Sequence, residues 1–262
     1  MRGGVSEAET LLEALRLAVR EDCDEPEVGL LFSGGLDSTI LAKLAMEFVK
    51  VRLYTIGLAG SHDLEAARSS AERLGLEWRP LVLDRERVIS SLLPLAKILG
   101  TENPLTLSFE MPLYMIAQQA EEHELLSGQG ADELFAGYAR YKNMPVEMLR
   151  RSLRSDLESL LSEGVERERT LAQHFAKKIK HPYLHRKVLE VAGTLQTSHL
   201  IEGDERKVIL RRVANLLSLE ESSRPKKAAQ YGSGVIKVMK IEARRRKVPL
   251  KRLIASLREE TL

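Results

Sequence analysis

The sequence predicts an α/β fold, with a doubly wound parallel sheet in the first part of the chain and a helical C-terminal half. Two observations lead to this prediction. Short apolar runs alternate with segments of helical periodicity up to about residue 141, and from about residue 142 onward the strand-like runs stop. Strands that alternate with helices form parallel sheets, and the ligands of such sheets bind at the carboxyl ends of the strands.

Each predicted element follows from its hydrophobic period and its flanking residues. The first helix places Leu11, Leu15 and Val19 on one face, the first strand is an apolar run that ends at glycines, and Gly75 gives the third helix a left-handed stop. In chain order we expect a helix at 7–19, a strand at 28–32, a helix at 38–50, a strand at 51–57, a helix at 62–74, a strand at 76–83, helices at 85–99 and 112–122, and a strand at 124–127.

Composition excludes several classes of protein. The net charge of +2 gives no global field for nucleic acid, and an aromatic content of 5% weakens base stacking. The single cysteine, Cys23, excludes a disulfide within the chain and any CxxC redox or zinc site. Residues 1–22 lack the apolar region of a signal peptide, and no apolar run reaches the length of a membrane span. We therefore expect a cytoplasmic protein without a membrane segment.

The first predicted strand leads into a turn of unusual chemistry, Ser33-Gly34-Gly35-Leu36-Asp37-Ser38. Glycines allow a sharp turn, and the N–H groups at the start of a helix attract an anion such as phosphate. A carboxylate beside phosphate is repulsive unless a cation bridges the two, so Asp37 indicates Mg²⁺. The alternative is a tight turn in which Asp37 and Ser38 only cap the helix.

The last predicted strand leads into a second turn of the same kind, Ser127-Gly128-Gln129-Gly130-Ala131-Asp132. Again a hydroxyl and glycines stand at a strand end with an acid beside them. If the two strands are neighbours, Asp37 and Asp132 can share one metal ion.

These segments resemble the synthetase domain of the asparagine synthetase family, a group of PP-loop ATP pyrophosphatases. The first turn is similar to the family's SGGxDS loop, and residues 127–138 resemble its SGEGADELFGGY loop. Later matches occur in the family's order: His181-Pro182-Tyr183-Leu184 resembles a PFL segment, Arg206 to Arg211 resembles a K-x-x-LR segment, and Arg224-Pro225-Lys226 resembles an R-P-K segment.

The resemblance implies an enzyme that adenylates a carboxylate with Mg-ATP, releases pyrophosphate, and lets ammonia or an amine attack the acyl-adenylate. It also implies a single asparagine synthetase-like domain, with a nucleotide-binding core at residues 1–141 and a mainly helical part at 142–262. The resemblance implies that pyrophosphate is bound by Ser33, Gly34, Gly35, Asp37 and Ser38. Magnesium would be bound by Asp37 and Asp132, the latter also catalytic, and the departing pyrophosphate would be neutralised by Lys226 or Lys227. Adenosine would be contacted by Ser127, Gly128 and the main chain of Leu31 and Ile56.

Three departures from the family pattern bear on activity. Gln129 replaces the glutamate of the second loop and cannot act as a general base. Glu133 or Glu110 could substitute for it, although nothing in the sequence requires either to do so. In the region that matches G-x-E-x-R-x-P-F-L-D, Lys178 and His185 replace acids, which favours a more anionic or larger acceptor than aspartate. We expect no glutaminase segment before the domain, and ammonia would then come from solution or from a partner protein.

Two other functions stay open at this stage. A PP-loop enzyme could adenylate an RNA base, and the basic run at residues 237–252 is either a solvated helix face or a polyanion contact. A non-catalytic protein could bind ATP or AMP after losing its chemistry at Gln129.

Overall fold

The computed structural model describes residues 6–220 and 234–260. Its central sheet has five parallel strands in the order β3-β2-β1-β4-β5. The strands are β1 Glu27–Leu31, β2 Lys50–Leu58, β3 Glu77–Leu83, β4 Glu124–Leu126 and β5 Lys178–Lys180. The predicted doubly wound parallel sheet is confirmed. Because the strand order reverses between β1 and β4, a crevice is expected at the carboxyl ends of these two strands.

Helices and one hairpin complete the described part of the chain. The α-helices are α1 Glu7–Asp22, α2 Leu36–Ala45, α3 His62–Leu74, α4 Arg85–Leu99, α5 Pro104–Gln119, α6 Ala131–Leu134, α7 Val146–Ser159, α8 Val165–His174, α9 Arg186–Thr194, α10 Val208–Leu216, α11 Val235–Arg245 and α12 Leu253–Glu259. Strands β6 Ile201–Glu202 and β7 Glu205–Arg206 form the antiparallel hairpin. No helix of the described ranges is long and apolar enough to cross a bilayer.

Two apolar clusters hold the helices to the sheet. The first includes Leu15 of α1, Ile40 of α2 and Leu210 of α10, which are all fully buried. The second includes Met111 of α5 and Leu171 of α8. Each cluster contains residues from both sides of residue 141, so the helical half packs directly on the sheet.

Two predicted helix boundaries were wrong. The helix expected at 112–122 begins earlier, because the Asn103 side chain caps its first turn and Pro104 occupies a first-turn position, where proline is tolerated. The helix expected to reach residue 50 ends at Ala45, and Lys50 already begins β2.

The expectation of no strands beyond residue 142 was also wrong. Strand β5 joins the sheet beside β4, with Leu126 opposite Lys180. Its three residues read Lys-Ile-Lys, with a single apolar side chain. Such a short strand has no hydrophobic period, so its pairing with β4 decides its structure.

Candidate active site

The turn between β1 and α2 packs closely on the backbone of α3 and presents hydrogen-bond donors. Gly34 has a left-handed φ of 66°, and a Cβ there would lie 2.5 Å from the backbone of Ala66. The Ser38 hydroxyl accepts a hydrogen bond from the Ser33 N–H at 3.3 Å and donates to the Gly35 carbonyl at 3.3 Å. The first N–H groups of α2 have no partners within the helix, so this turn presents donors and a positive dipole end.

The turn after β4 is held in place by the segment that follows β5. The Ser127 N–H donates to the Lys180 carbonyl at 2.9 Å, and the Gln129 N–H donates to the Ser127 hydroxyl at 3.3 Å. Gly130 has a φ of 93°, and a Cβ there would lie 2.4 Å from Leu184. The positive φ and this contact both disfavour a side chain at position 130.

The two turns are neighbours in space, as the sequence predicts for adjacent strands. A Cβ on Gly128 would lie 3.8 Å from the Cβ of Asp37 and 4.0 Å from the backbone N of Ser38. The second turn thus borders the first turn of α2, at the carboxyl ends of β1 and β4.

Lys207 joins the acids of the two turns. Its Nζ lies 2.6 and 2.7 Å from the two carboxylate oxygens of Asp37 and 2.6 Å from Oδ1 of Asp132. The lysine is 3% exposed and has a left-handed φ of 58° at the start of α10. Sequence reasoning did not assign it a role. The available signal was its position in the segment that resembles K-x-x-LR.

Further contacts fix the two carboxylates. The Tyr183 hydroxyl donates to the Asp37 carbonyl at 3.1 Å, and burial together with the nearby Asp37 and Asp132 raises the pKa of this phenol, which keeps the donor proton in place. A Cβ on Gly137 would lie 1.7 Å from Oδ1 of Asp132 and 2.2 Å from Cε of Lys207. Glycine is therefore required where the chain passes the ion pair.

The donor set fits a magnesium ion. Mg²⁺ takes one or two protein carboxylates and completes its shell with phosphate oxygens and water. Asp37 and Asp132 already converge on one cation, the ammonium group of Lys207. Within residues 6–220 and 234–260, no group of three or more His, Cys, Asp or Glu side chains could hold a metal. A metal at this site would thus rely on a nucleotide for further ligands.

The sequence profile of the asparagine synthase family matches residues 10–179 and 144–248. The chain belongs to the asparagine synthase family. It is 32% identical over 248 residues to a putative glutamine-hydrolysing asparagine synthetase of Methanocaldococcus jannaschii, covering 79% of this chain and 46% of that protein. It is 27% identical to the glutamine-hydrolysing asparagine synthetase of Gallus gallus, covering 80% of this chain and 40% of that protein.

The chain thus spans less than half the length of these relatives. Among solved structures, the NH3-dependent NAD synthetase of Campylobacter jejuni covers 96% of this chain and 92% of its own, with a TM-score of 0.44 and 16% identity. The order of the five parallel strands defines the fold of this chain.

Of the remaining residues to which the family resemblance assigns a role, two lie in the described part of the chain and two lie outside it. Leu31 ends β1, and Ile56 lies in β2 two positions before its end, so both lie near the carboxyl edge of the sheet. Lys226 and Lys227 lie outside the described residues, and their assigned role stays a prediction.

The residues that depart from the family pattern have partners of their own. The exposed Lys178 begins β5, where its N–H donates to the His123 carbonyl at 2.8 Å. His185 caps α9 and pairs with Glu21 at 3.0 Å. Gln129 is partly exposed in the second turn. The side chains at positions 129, 178 and 185 carry no negative charge, in contrast to the acids of the family pattern.

Part of the basic C-terminal run is neutralised within the protein. Glu242, 1% exposed, accepts hydrogen bonds from Arg85, Arg245 and Arg246. Lys237 and Lys240 are exposed. Contact of this surface with a polyanion stays a prediction.

Burial, with a smaller contribution from Glu124, raises the pKa of the Cys23 thiol to about 12, which keeps it protonated and unreactive.

Proposed function

We propose that this protein is an ATP-dependent ligase that adenylates a carboxylate, releases pyrophosphate, and forms an amide when ammonia or an amine attacks the adenylate. The observation that carries the proposal is the convergence of Asp37, Asp132 and Lys207 between two glycine-rich turns at the carboxyl edge of the sheet. Membership of the asparagine synthase family supports it.

The geometry suits the triphosphate of ATP. The turn at Ser33 to Ser38 offers N–H and hydroxyl donors, while Lys207 supplies a buried positive charge beside them. Charge grows on the pyrophosphate as the bond to the α-phosphate breaks, and a preorganised cation stabilises that charge. Asp37 and Asp132 would hold Mg²⁺, which neutralises phosphate oxygens when it is bound.

The acceptor and the nitrogen source belong to the same proposal. Lys178, Lys180 and His185 give the segment around β5 a basic character, which favours an acceptor more anionic or larger than aspartate. Since the relatives are named glutamine-hydrolysing, a partner that supplies ammonia is part of the proposal, with ammonia from solution as the alternative. We place the reaction in the cytoplasm.

Pyrophosphate release tests the proposal. The purified protein is incubated with Mg-ATP, ammonium chloride and a panel of acids that starts with L-aspartate and includes larger dicarboxylates and tricarboxylates. We expect one acid to stimulate release, and Asp37→Asn to lower it by about 100- to 1000-fold. Asp204→Asn, which changes an exposed aspartate that pairs with Lys142, is the matched control and is expected to keep full activity.

Two outcomes would contradict the proposal. Release that Asp37→Asn leaves unchanged would locate the reaction elsewhere. Nucleotide binding without release for any acid would instead identify a non-catalytic nucleotide-binding protein.

A further inference from the structure

The amide-forming half of the proposed reaction needs a group that takes a proton from the attacking amine, and Gln129 cannot do so. Neither acid named as a substitute is open to an amine. Glu133 accepts a hydrogen bond from Tyr138 through Oε1, and its Oε2 is enclosed without a partner. Glu110 is 1% exposed, with Oε1 at 3.2 Å from Nε of Arg167 and Oε2 enclosed. The expectation that either could replace the missing base is therefore not supported.

His181 lies beside the turn that carries Gln129. It directly follows β5, and the carbonyl of the preceding Lys180 accepts the Ser127 N–H at 2.9 Å. Two residues later, Tyr183 contacts the backbone of Asp37, and Leu184 packs on Gly130. The backbone of His181 thus belongs to the wall of the site.

The imidazole of His181 is oriented by a buried carboxylate. Its Nε2 lies 2.6 Å from Oε2 of Glu168, in the first turn of α8, and the two side chains are 9% and 5% exposed. When Nε2 donates to this carboxylate, Nδ1 keeps the lone pair that accepts a proton. Among the described residues Nδ1 has no hydrogen-bond partner, and it is not an enclosed atom.

Charged groups of both signs surround the pair formed by His181 and Glu168. Glu168 faces the imidazole from α8, Asp22 interacts with it electrostatically from the end of α1, and Glu110 of α5 interacts with Glu168. Arg167 pairs with Glu110. Lys180, which directly precedes His181, and His185 both interact electrostatically with Asp22. The carboxylate in direct contact with the imidazole is that of Glu168, at 2.6 Å.

We propose that His181, oriented by Glu168, is the general base for amide formation in this chain, an inference that rests on the proposed function. The amine nitrogen forms the new bond to the acyl carbon, and the adduct gives an N–H proton to Nδ1 of His181. The bond between the acyl carbon and the phosphate oxygen then breaks, and AMP leaves with the electron pair. The family pattern leaves the position of His181 open, so the pattern itself does not specify this base.

The test separates the two half-reactions. Wild type, His181→Gln and Glu168→Gln are assayed with Mg-ATP and the acceptor found above, first for pyrophosphate exchange without amine and then for product with ammonium chloride or hydroxylamine. Glutamine at position 181 can still donate to Glu168 but offers no base. Hydroxylamine is a stronger nucleophile and is neutral at neutral pH, so it depends less on a base.

We expect His181→Gln to keep pyrophosphate exchange within a few-fold, to lose ammonia-dependent product by about 100-fold or more, and to keep hydroxamate formation. Glu168→Gln is expected to show a smaller loss of the same kind. His123→Gln, which changes an exposed histidine, is the matched control and should behave as wild type.

Each other outcome is informative. Ammonia-dependent product at the wild-type rate in His181→Gln would overturn the inference and leave the proposed function intact. Equal loss of exchange, amide and hydroxamate would also overturn it, because that pattern indicates a structural role. Absence of pyrophosphate exchange in the wild type with every acid would remove the proposed function itself.

Discussion

Lys207 and Asp37 are joined by two hydrogen bonds of 2.6 and 2.7 Å, although 170 residues separate them in the chain. The same ammonium group contacts Asp132 at 2.6 Å. One buried cation therefore connects the turns after β1 and β4 to the start of α10. Removal of this cation tests both the fold and the proposed metal site.

Lys207→Met leaves two carboxylates facing each other without a cation, and we expect a loss of about 3 to 5 kcal/mol in the free energy of unfolding. Because Mg²⁺ can then take the place of the ammonium group, it should raise the Tm of the variant more than that of the wild type. Thermal unfolding with and without MgCl₂ measures both effects. Lys187→Met, which changes a partly exposed lysine paired with Glu190, is the control and should cost less than about 1 kcal/mol. Equal magnesium shifts in variant and wild type would argue against a shared metal site.

Gly34→Ala tests the steric requirement of the first turn. Gly34 and Gly75 both have a φ of 66°, but a Cβ on Gly75 meets nothing within 4 Å, whereas one on Gly34 lies 2.5 Å from the backbone of Ala66. Gly75→Ala should cost about 1 to 2 kcal/mol for the left-handed backbone alone. Gly34→Ala should cost a further 1 to 3 kcal/mol or so for the overlap and should weaken ATP binding. Urea unfolding and nucleotide titration of both variants provide the comparison, and equal costs would contradict the structure.

Glu242→Gln tests the arginine cluster of the C-terminal helices through pH. Hydrogen bonds from Arg245, and then from Arg85 and Arg246, lower the pKa of Glu242 from 4.5 to about 2. A depressed carboxyl pKa contributes stability above the unfolded value, and this contribution is lost as the pH falls from about 5 towards 2. We expect the variant to be less stable than the wild type by about 3 kcal/mol at pH 7, with the gap closing as the pH falls.

The measurement is urea unfolding of both proteins between pH 7 and pH 3. Glu259→Gln removes a carboxylate that is 70% exposed and pairs loosely with Arg252, so its effect should be small at every pH. A gap between wild type and Glu242→Gln that stays constant with pH would show that the charge of Glu242 is not what stabilises the cluster.

Gln129→Glu restores the carboxylate of the family pattern in the second turn. In the His181→Gln background we expect it to raise ammonia-dependent amide formation by about 10-fold or more, because a carboxylate beside the acyl group can accept the proton. In the wild type the gain should be smaller. Gln173→Glu adds the same charge at an exposed position of α8 and serves as the control. Steady-state rates decide the comparison, and no recovery would argue that position 129 does not face the attacking amine.

Much of the fold and the two turns could be predicted from the sequence, because local patterns determine them. Apolar runs and helical periodicity identified β1 to β4. The left-handed backbone at Gly34 and Gly130 favours glycine whatever surrounds it. The location of Asp37 in the first turn of α2 follows from its position directly after the first glycine turn. Because the first and last of these strands were expected to be neighbours, the sequence also predicted that Asp37 and Asp132 lie close together.

The sequence by itself therefore determined the alternation of strands and helices up to β4, the two glycine-rich turns and the acids beside them. Only the tertiary structure decided that Lys207 lies between those acids, that Lys178–Lys180 is a strand, and that His181 meets Glu168. These three features depend on contacts between segments far apart in the chain, where α10 packs on α1 and α2 and α8 packs on α5 and β5. Periodicity and turn chemistry act over a few neighbouring residues, so they carry no information about which distant side chain fills a buried site.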